Sequence, residues 1–178
     1  MSYKDLLENI DLLARRTVAK CTENKIKIAT AESCTGGMIS SAITAVSGSS
    51  AVIELGICSY SNRIKSEALG VSASTLARFS EYSIQCAQEM ALGAMRLGGA
   101  DFAVSTTGVA GPTGASEEAP VGTVFFGVCA RDGVSSFKRR FDAPQGCGCS
   151  EREYIRTAAV LEALTLLNEM IDRRILKG

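Results

Sequence analysis

The chain has 178 residues, enough for one domain and too few for two comfortable ones, so residues 1–178 are expected to form a single unit. Hydrophobic residues make up 46% and charged residues 21%, a globular balance that excludes a disordered chain. Nineteen basic residues offset nineteen acidic ones, which argues against a protein that coats nucleic acid, and the count of zero histidines excludes Ser-His-Asp and Cys-His catalysis with every imidazole metal site. Any proton transfer then falls to Lys, Tyr, Asp, Glu, Cys or water. The opening Met1-Ser2-Tyr3-Lys4-Asp5 carries no apolar segment of a signal peptide, and no apolar run reaches the roughly 18 residues of a membrane span. Seven cysteines without an export signal fit free thiols in a reducing cytoplasm.

Residues 3 to about 23 read as an amphipathic helix, with Leu6, Leu7, Ile10, Leu13 and Val18 at helical spacing. Lys25 to Ala31 alternates and then turns apolar, as a strand entering a core does. After Gly36-Gly37 comes a short helix, Met38 to Val46, broken by Ser47-Gly-Ser-Ser50. A second strand spans Ala51 to Tyr60, a short helix Asn62 to Leu69, and a long helix Glu81 to Leu97, stopped by Gly98-Gly99. Asp101 to Thr107 is a third strand running into the glycine-rich loop Gly108-Val-Ala-Gly-Pro-Thr-Gly114. Val121 to Ala130 is almost continuously apolar, as a strand buried on both faces must be. Asp132-Gly133 signals a hairpin into a fifth strand, Val134 to Phe141. A last helix, Glu151 to Leu176, lines Val160, Leu161, Leu164, Leu167, Ile171 and Ile175 along one face. The order α-β-α-β-α-α-β-β-β-α predicts a five-stranded mixed sheet with helices on both faces.

Three strand exits carry polar groups suited to chemistry. In Thr30-Ala-Glu-Ser-Cys-Thr-Gly-Gly37 a strand turns through small residues into a helix, where exposed N–H groups favour an oxyanion or phosphate. Ser33 there fits a nucleophile, and Ser33 or Thr35 equally fits a helix cap. Ser59-Tyr-Ser-Asn-Arg-Ile-Lys65 crowds Tyr60, Asn62, Arg63 and Lys65 at the second exit, although Arg63 and Lys65 also suit a solvated helix face. The third exit, Ser105 to Glu118, is glycine-rich but has neither dinucleotide nor P-loop spacing, and Glu117 and Glu118 suit a solvated loop. Other patterns fail on geometry. Ser135 and Lys138 face opposite sides of a strand. Cys147-x-Cys149 is two ligands short of a tetrahedral zinc site. Cys34 has no neighbour in sequence that would mark it as an activated thiolate.

Taken together, AESCTGG, YSNxxK, the STTGVAGP loop and SEEAPVGTV resemble the CinA C-terminal family, the nicotinamide-nucleotide amidases, over about residues 5 to 172. The resemblance implies a three-layer α/β/α sandwich on a five-stranded mixed sheet, and hydrolysis of nicotinamide mononucleotide to nicotinate mononucleotide and ammonia. It implies Ser33 as nucleophile, Lys65 as general base and Tyr60 as a third catalytic group. Cys34, Thr35, Gly36, Gly37, Asn62, Arg63, Thr106, Thr107, Gly108 and Arg140 would then hold the substrate, with Arg139 or Arg140 suited to its phosphate. For Lys65 to act as a base near neutrality its pKa must fall by about three units, and burial and the cation of Arg63 both push that way.

One stretch departs from the family pattern. Family members read Phe-x-Gly-Asp-Arg before the last helix, whereas this chain has Phe141-Asp-Ala-Pro-Gln-Gly-Cys-Gly-Cys-Ser150. The role of that arginine passes to Arg152 or Arg156, or is lost. The loop from Asp142 to Ser150 is expected to be exposed and mobile, with no disulfide to another segment and no zinc. Neither a cofactor nor a metal is expected. The partners expected are the small-molecule substrate and further copies of the chain, with no nucleic acid and no membrane. Two alternatives stand beside the amidase: an enzyme acting on another nucleotide-like amide, and a competence- or damage-associated binding module without catalysis.

Overall fold

The computed structural model describes residues 1–176 and opens on a reciprocal helix cap. The Ser2 hydroxyl accepts the Asp5 N–H (3.1 Å) and the Ser2 N–H reaches the Asp5 carboxylate (2.8 Å), fixing the start of α1 (Tyr3–Glu23). The elements that follow are β1 (Ile28–Glu32), α2 (Met38–Thr44), β2 (Ile53–Cys58), α3 (Asn62–Leu69), α4 (Ala73–Phe79) and α5 (Ile84–Gly98). The chain continues through β3 (Phe102–Gly108), β4 (Thr123–Ala130), β5 (Gly133–Arg140) and α6 (Glu151–Ile175).

The strands form one sheet in the order β2-β1-β3-β4-β5. β2, β1 and β3 run parallel, and β4 and β5 are antiparallel to their neighbours. Parallel pairing demands crossovers, and the helices that supply them cover both faces. Ile10, Val18, Ile39, Ile43, Ile155 and Leu164 from α1, α2 and α6 fill one side. Leu69, Leu76, Met90, Ala91 and Ala94 from α3, α4 and α5 fill the other. The result is the expected three-layer α/β/α sandwich on a mixed five-stranded sheet. β1, β3 and β4 are buried end to end, which explains the nearly continuous apolar sequence of β4, while the polar residues of β1 and β3 gather toward the ends that leave the sheet at the site.

The parallel strands β1, β2 and β3 all end on one edge of the sheet, the usual place for a ligand in an open α/β fold. Helix α3, which leaves that edge after β2, is pressed against bare backbone. A methyl on Gly93 of α5 would lie 2.0 Å from the Leu69 carbonyl oxygen, so only glycine lets the two helices approach this closely. The position of Lys65 on α3 is set partly by that contact.

The structure differs from expectation in three places. Helix α4 was not foreseen, because seven residues are too few for a periodicity to show. Ser72 starts it by accepting the Thr75 N–H (3.0 Å), and Glu89 of α5 anchors it through Thr75 Oγ1 (2.7 Å) and the Ser72 N–H (2.7 Å). Helix α5 begins at Ile84, three residues later than expected. Ser80 lies in the left-handed region (φ 65°) and Ser83 is the true cap, so Glu81 and Tyr82 belong to an irregular segment. The third difference is the loop before α6. Its cysteines pack with Leu6, Tyr154 and Ala158, and the Tyr3 N–H donates to the Cys147 carbonyl (3.2 Å). The loop is therefore anchored across α1 and α6, with Pro144, Gln145 and Gly146 left exposed.

Candidate active site

The site begins with a buried carboxylate. Glu32, the last residue of β1, is fully buried and ringed by donors. Its Oε2 accepts Thr35 Oγ1 (2.7 Å) and the N–H groups of Gly37 and Ile39 (3.0 Å each). Its Oε1 accepts the Ser40 N–H (2.9 Å) and hydroxyl (2.8 Å). Neither Ser33 nor Thr35 caps α2, because Glu32 performs that task from the preceding strand. The first-turn donors of α2 are consequently occupied, and the expectation that they serve an oxyanion or phosphate is corrected. Glu32→Gln replaces one acceptor oxygen with an amide that faces donors. We expect a loss of about 1–3 kcal/mol in urea unfolding, with a parallel fall in activity as the turn relaxes.

This carboxylate shapes the turn that presents Ser33. Gly36 (φ 63°) and Gly37 (φ 94°) take left-handed conformations that ordinary side chains resist, and the Gly36 N–H closes the turn on the Ser33 carbonyl (3.1 Å). Thr106 of β3 holds it from one side, its carbonyl accepting the Ser33 N–H (2.9 Å) and its hydroxyl meeting Thr35 Oγ1 (2.8 Å). Arg156 of α6 clamps the other side, donating to the carbonyls of Cys34 and Thr35 (3.0 Å each).

Lys65 arrives from α3, which Ser61 caps. Only 1% of the residue is exposed, and it has no carboxylate within ion-pair range among the described residues. Its Nζ lies 3.0 Å from Ser33 Oγ, 2.9 Å from the Ser59 carbonyl and 3.3 Å from the Tyr60 carbonyl. Burial lowers its pKa below the ordinary 10.5, against smaller opposing effects of Cys86, Glu81 and Cys34. As an ammonium it has three donors for three acceptors. As an amine it can keep both carbonyls and turn its lone pair to the Ser33 hydroxyl. The cation of Arg63 plays no part: that side chain is exposed and paired with Glu67 on the outer face of α3.

Ser33 and Lys65 sit at the base of a cavity of about 390 Å³ lined also by Cys34, Tyr60, Asn62, Glu81, Tyr82, Gly108 and Arg152, with further loop residues. Of the other residues expected to hold a ligand, Thr35, Gly36, Gly37 and Thr106 build the turn and do not line the cavity wall. Thr107 is buried and supports the wall by donating to the Glu81 carbonyl (2.7 Å). Arg140 is not at the cavity. It ends β5, two strands beyond β3, where it pairs with Asp142 (3.5 Å). Burial pushes the Cys34 thiol up to about 12, so it is protonated near neutrality and is no rival nucleophile. Arg152, one turn before Arg156, reaches the cavity instead, donating to the Gly111 carbonyl and lying 3.4 Å from the Tyr60 hydroxyl. Glu81 and Tyr82 were missed because their segment read as helix. The clue to Glu32 was a lone acid ending an apolar strand.

Fold and site together define a three-layer α/β/α protein with a buried Ser/Lys pair at the strand exits. A family model described as the CinA C-terminal domain matches residues 10–171, and the chain belongs to that family. It is 49% identical over 143 residues to a protein of Enterobacter agglomerans named nicotinamide-nucleotide amidohydrolase PncC, covering 79% of this chain and 83% of that one. It is 43% identical over 164 residues to a CinA-like protein of Chlorobium limicola, covering 90% of this chain but only 38% of that relative's length. A solved structure of competence/damage inducible protein CihA from Agrobacterium tumefaciens superposes with a TM-score of 0.83 at 42% identity, covering 90% and 94% of the two chains. A CinA superfamily protein from Klebsiella pneumoniae superposes at 0.84 with 32% identity, covering 92% and 98%. Among the described residues no helix is long and apolar enough to cross a membrane.

Proposed function

We propose that this protein is a nicotinamide-nucleotide amidase that hydrolyses the carboxamide of nicotinamide mononucleotide to nicotinate mononucleotide and ammonia. The observation that carries this reading is the 3.0 Å contact between Ser33 Oγ and a buried Lys65 that forms no ion pair among the described residues. The 49% identity to a protein named for that reaction supports the substrate class.

In this reading neutral Lys65 takes the Ser33 proton as Oγ attacks the carboxamide carbon. Cys34 lines the cavity beside Ser33, and its backbone N–H, which meets no backbone acceptor among the described residues, is the donor for the oxyanion. Protonated Lys65 gives its proton to the leaving nitrogen, ammonia departs, and an ester on Ser33 remains. Water, deprotonated by Lys65, attacks that ester and releases the carboxylate. The electron-poor pyridinium ring makes the carbonyl easier to attack. Arg152 supplies the cation for the phosphate.

The test is ammonia release from nicotinamide mononucleotide, from nicotinamide riboside and from free nicotinamide. Turnover of the mononucleotide supports the reading. Binding without ammonia, or hydrolysis of other amides only, removes it. For Arg152→Ala, loss of a charge-assisted contact worth about 1.5–3 kcal/mol should raise KM for the mononucleotide roughly ten- to a hundredfold, with kcat less affected. Steady-state kinetics check this, and KM for the riboside, which lacks the phosphate, should hardly move.

A further inference from the structure

Among the described residues Glu81 is the only carboxylate on the wall of the catalytic cavity, and the chemistry just described leaves it unused. It is built in place. Its carbonyl accepts Thr107 Oγ1 (2.7 Å), Ser80 turns the chain ahead of it with φ 65°, and Ser83 starts α5 behind it. Its side chain meets Asn62 Nδ2 at 3.4 Å and enters no ion pair among the described residues. The two cations of the cavity do not answer it. Arg152 contacts the neutral Gly111 carbonyl and Tyr60 hydroxyl and does not pair with Glu81, and Lys65 must shed its charge to act as a base.

Two aromatic rings accompany this carboxylate. Tyr82 is half-buried, Tyr60 is 65% exposed, and both line the same cavity. Burial first, and then the negative charge of Glu81, hold the Tyr82 phenol in its protonated form. A carboxylate flanked by aromatic rings is the group set that recognises a flat organic cation, through Coulomb attraction and the ring quadrupole together.

We propose that Glu81, with Tyr82 beside it, is the specificity-determining site for the positive charge of the substrate's pyridinium ring, so that the cavity selects a cationic ring over a neutral one of the same shape. This rests on the amidase reading above. The wall then mirrors the charges of the nucleotide, a carboxylate for the cationic ring and the Arg152 guanidinium for the phosphate.

The experiment compares nicotinamide mononucleotide with its 1,4-dihydro form, whose ring is neutral and otherwise nearly the same size. Dissociation constants are measured by calorimetry on Ser33→Ala protein, so that binding is read without turnover. With Glu81 intact, the oxidised form should bind about tenfold tighter than the reduced form, the scale of one partly screened charge pair. In the near-isosteric Glu81→Gln background the two constants should fall within about twofold of each other, mostly by weakening of the oxidised form. Tyr82→Phe should keep the preference and Tyr82→Leu should erode it. A ratio near one with Glu81 intact, or a ratio unchanged by Glu81→Gln, overturns the proposal. Equal weakening of both forms also overturns it, since that is the mark of a structural role. The two readings fail separately. A wild-type protein that releases no ammonia from the mononucleotide defeats the amidase assignment, whereas one that does so with an unchanged ratio defeats only the role given to Glu81.

Discussion

Lys65→Met is expected to lower kcat for amide hydrolysis by at least about a thousandfold, and Lys65→Arg to be nearly as inactive. Methionine fills the same slot without an amine. Arginine keeps the charge but cannot give up a proton near neutrality, and its planar head does not fit a position that is 1% exposed. Activity in the arginine variant would make the residue an electrostatic clamp and remove it as the base. The pH dependence follows from the lowered pKa. The rate should rise as Lys65 loses its proton, with its acid limb below the ordinary lysine value of 10.5. Stability carries the same signature. Between the lowered folded value and 10.5 the unfolded chain binds the proton and the folded one does not, so stability rises with pH across that window. Lys65→Met should flatten that rise, which urea unfolding at several pH values measures.

Ser33→Ala is expected to abolish turnover to at least the same degree while leaving the fold and substrate binding largely intact. Ser33 Oγ makes one hydrogen bond, to Lys65, whose Nζ keeps the Ser59 and Tyr60 carbonyls. Removing the hydroxyl therefore strands no buried group that lacks another partner. Retention of more than about a tenth of wild-type kcat would exclude Ser33 as a covalent nucleophile. A rapid-quench search for an acyl adduct on Ser33 supplies the positive counterpart.

The layer order and the sheet were legible because each strand shows its environment. An unbroken apolar run marks β4, and the Asp132-Gly133 pair marks the turn into β5. Ser33 and Lys65 were legible as candidates because both follow strands that end on the same edge. Other parts were not, for reasons of geometry. Arg63 is two residues from Lys65 in sequence, and on a helix that spacing points the two side chains apart. Arg140 ends a strand on the edge that bears the cavity, yet the sheet order sets it two strands away. Glu32 makes sense only once α2 folds back over it, and Glu81 only once Ser80 breaks the expected helix. Arg152 was one of two candidates to replace the family's arginine. Residue order alone could not say which one faces the ligand and which grips the nucleophile's turn.

Arg152 and Arg156 stand one turn apart on α6, and what fixes that helix is its own buried face, Ile155, Ala159, Val160, Ala163 and Leu164, together with the rest of the core. The exposed stretch Pro144–Gly146 sets neither its height nor its rotation, and a side chain added at Gly146 meets nothing within 4 Å. For an engineer the two regions are therefore unequal. An epitope, a fluorophore or a tether spliced in beside Gly146 leaves both guanidinium groups where they are. A single residue inserted between them turns one about 100° from the other, separating the grip on the ligand from the grip on the attacking turn.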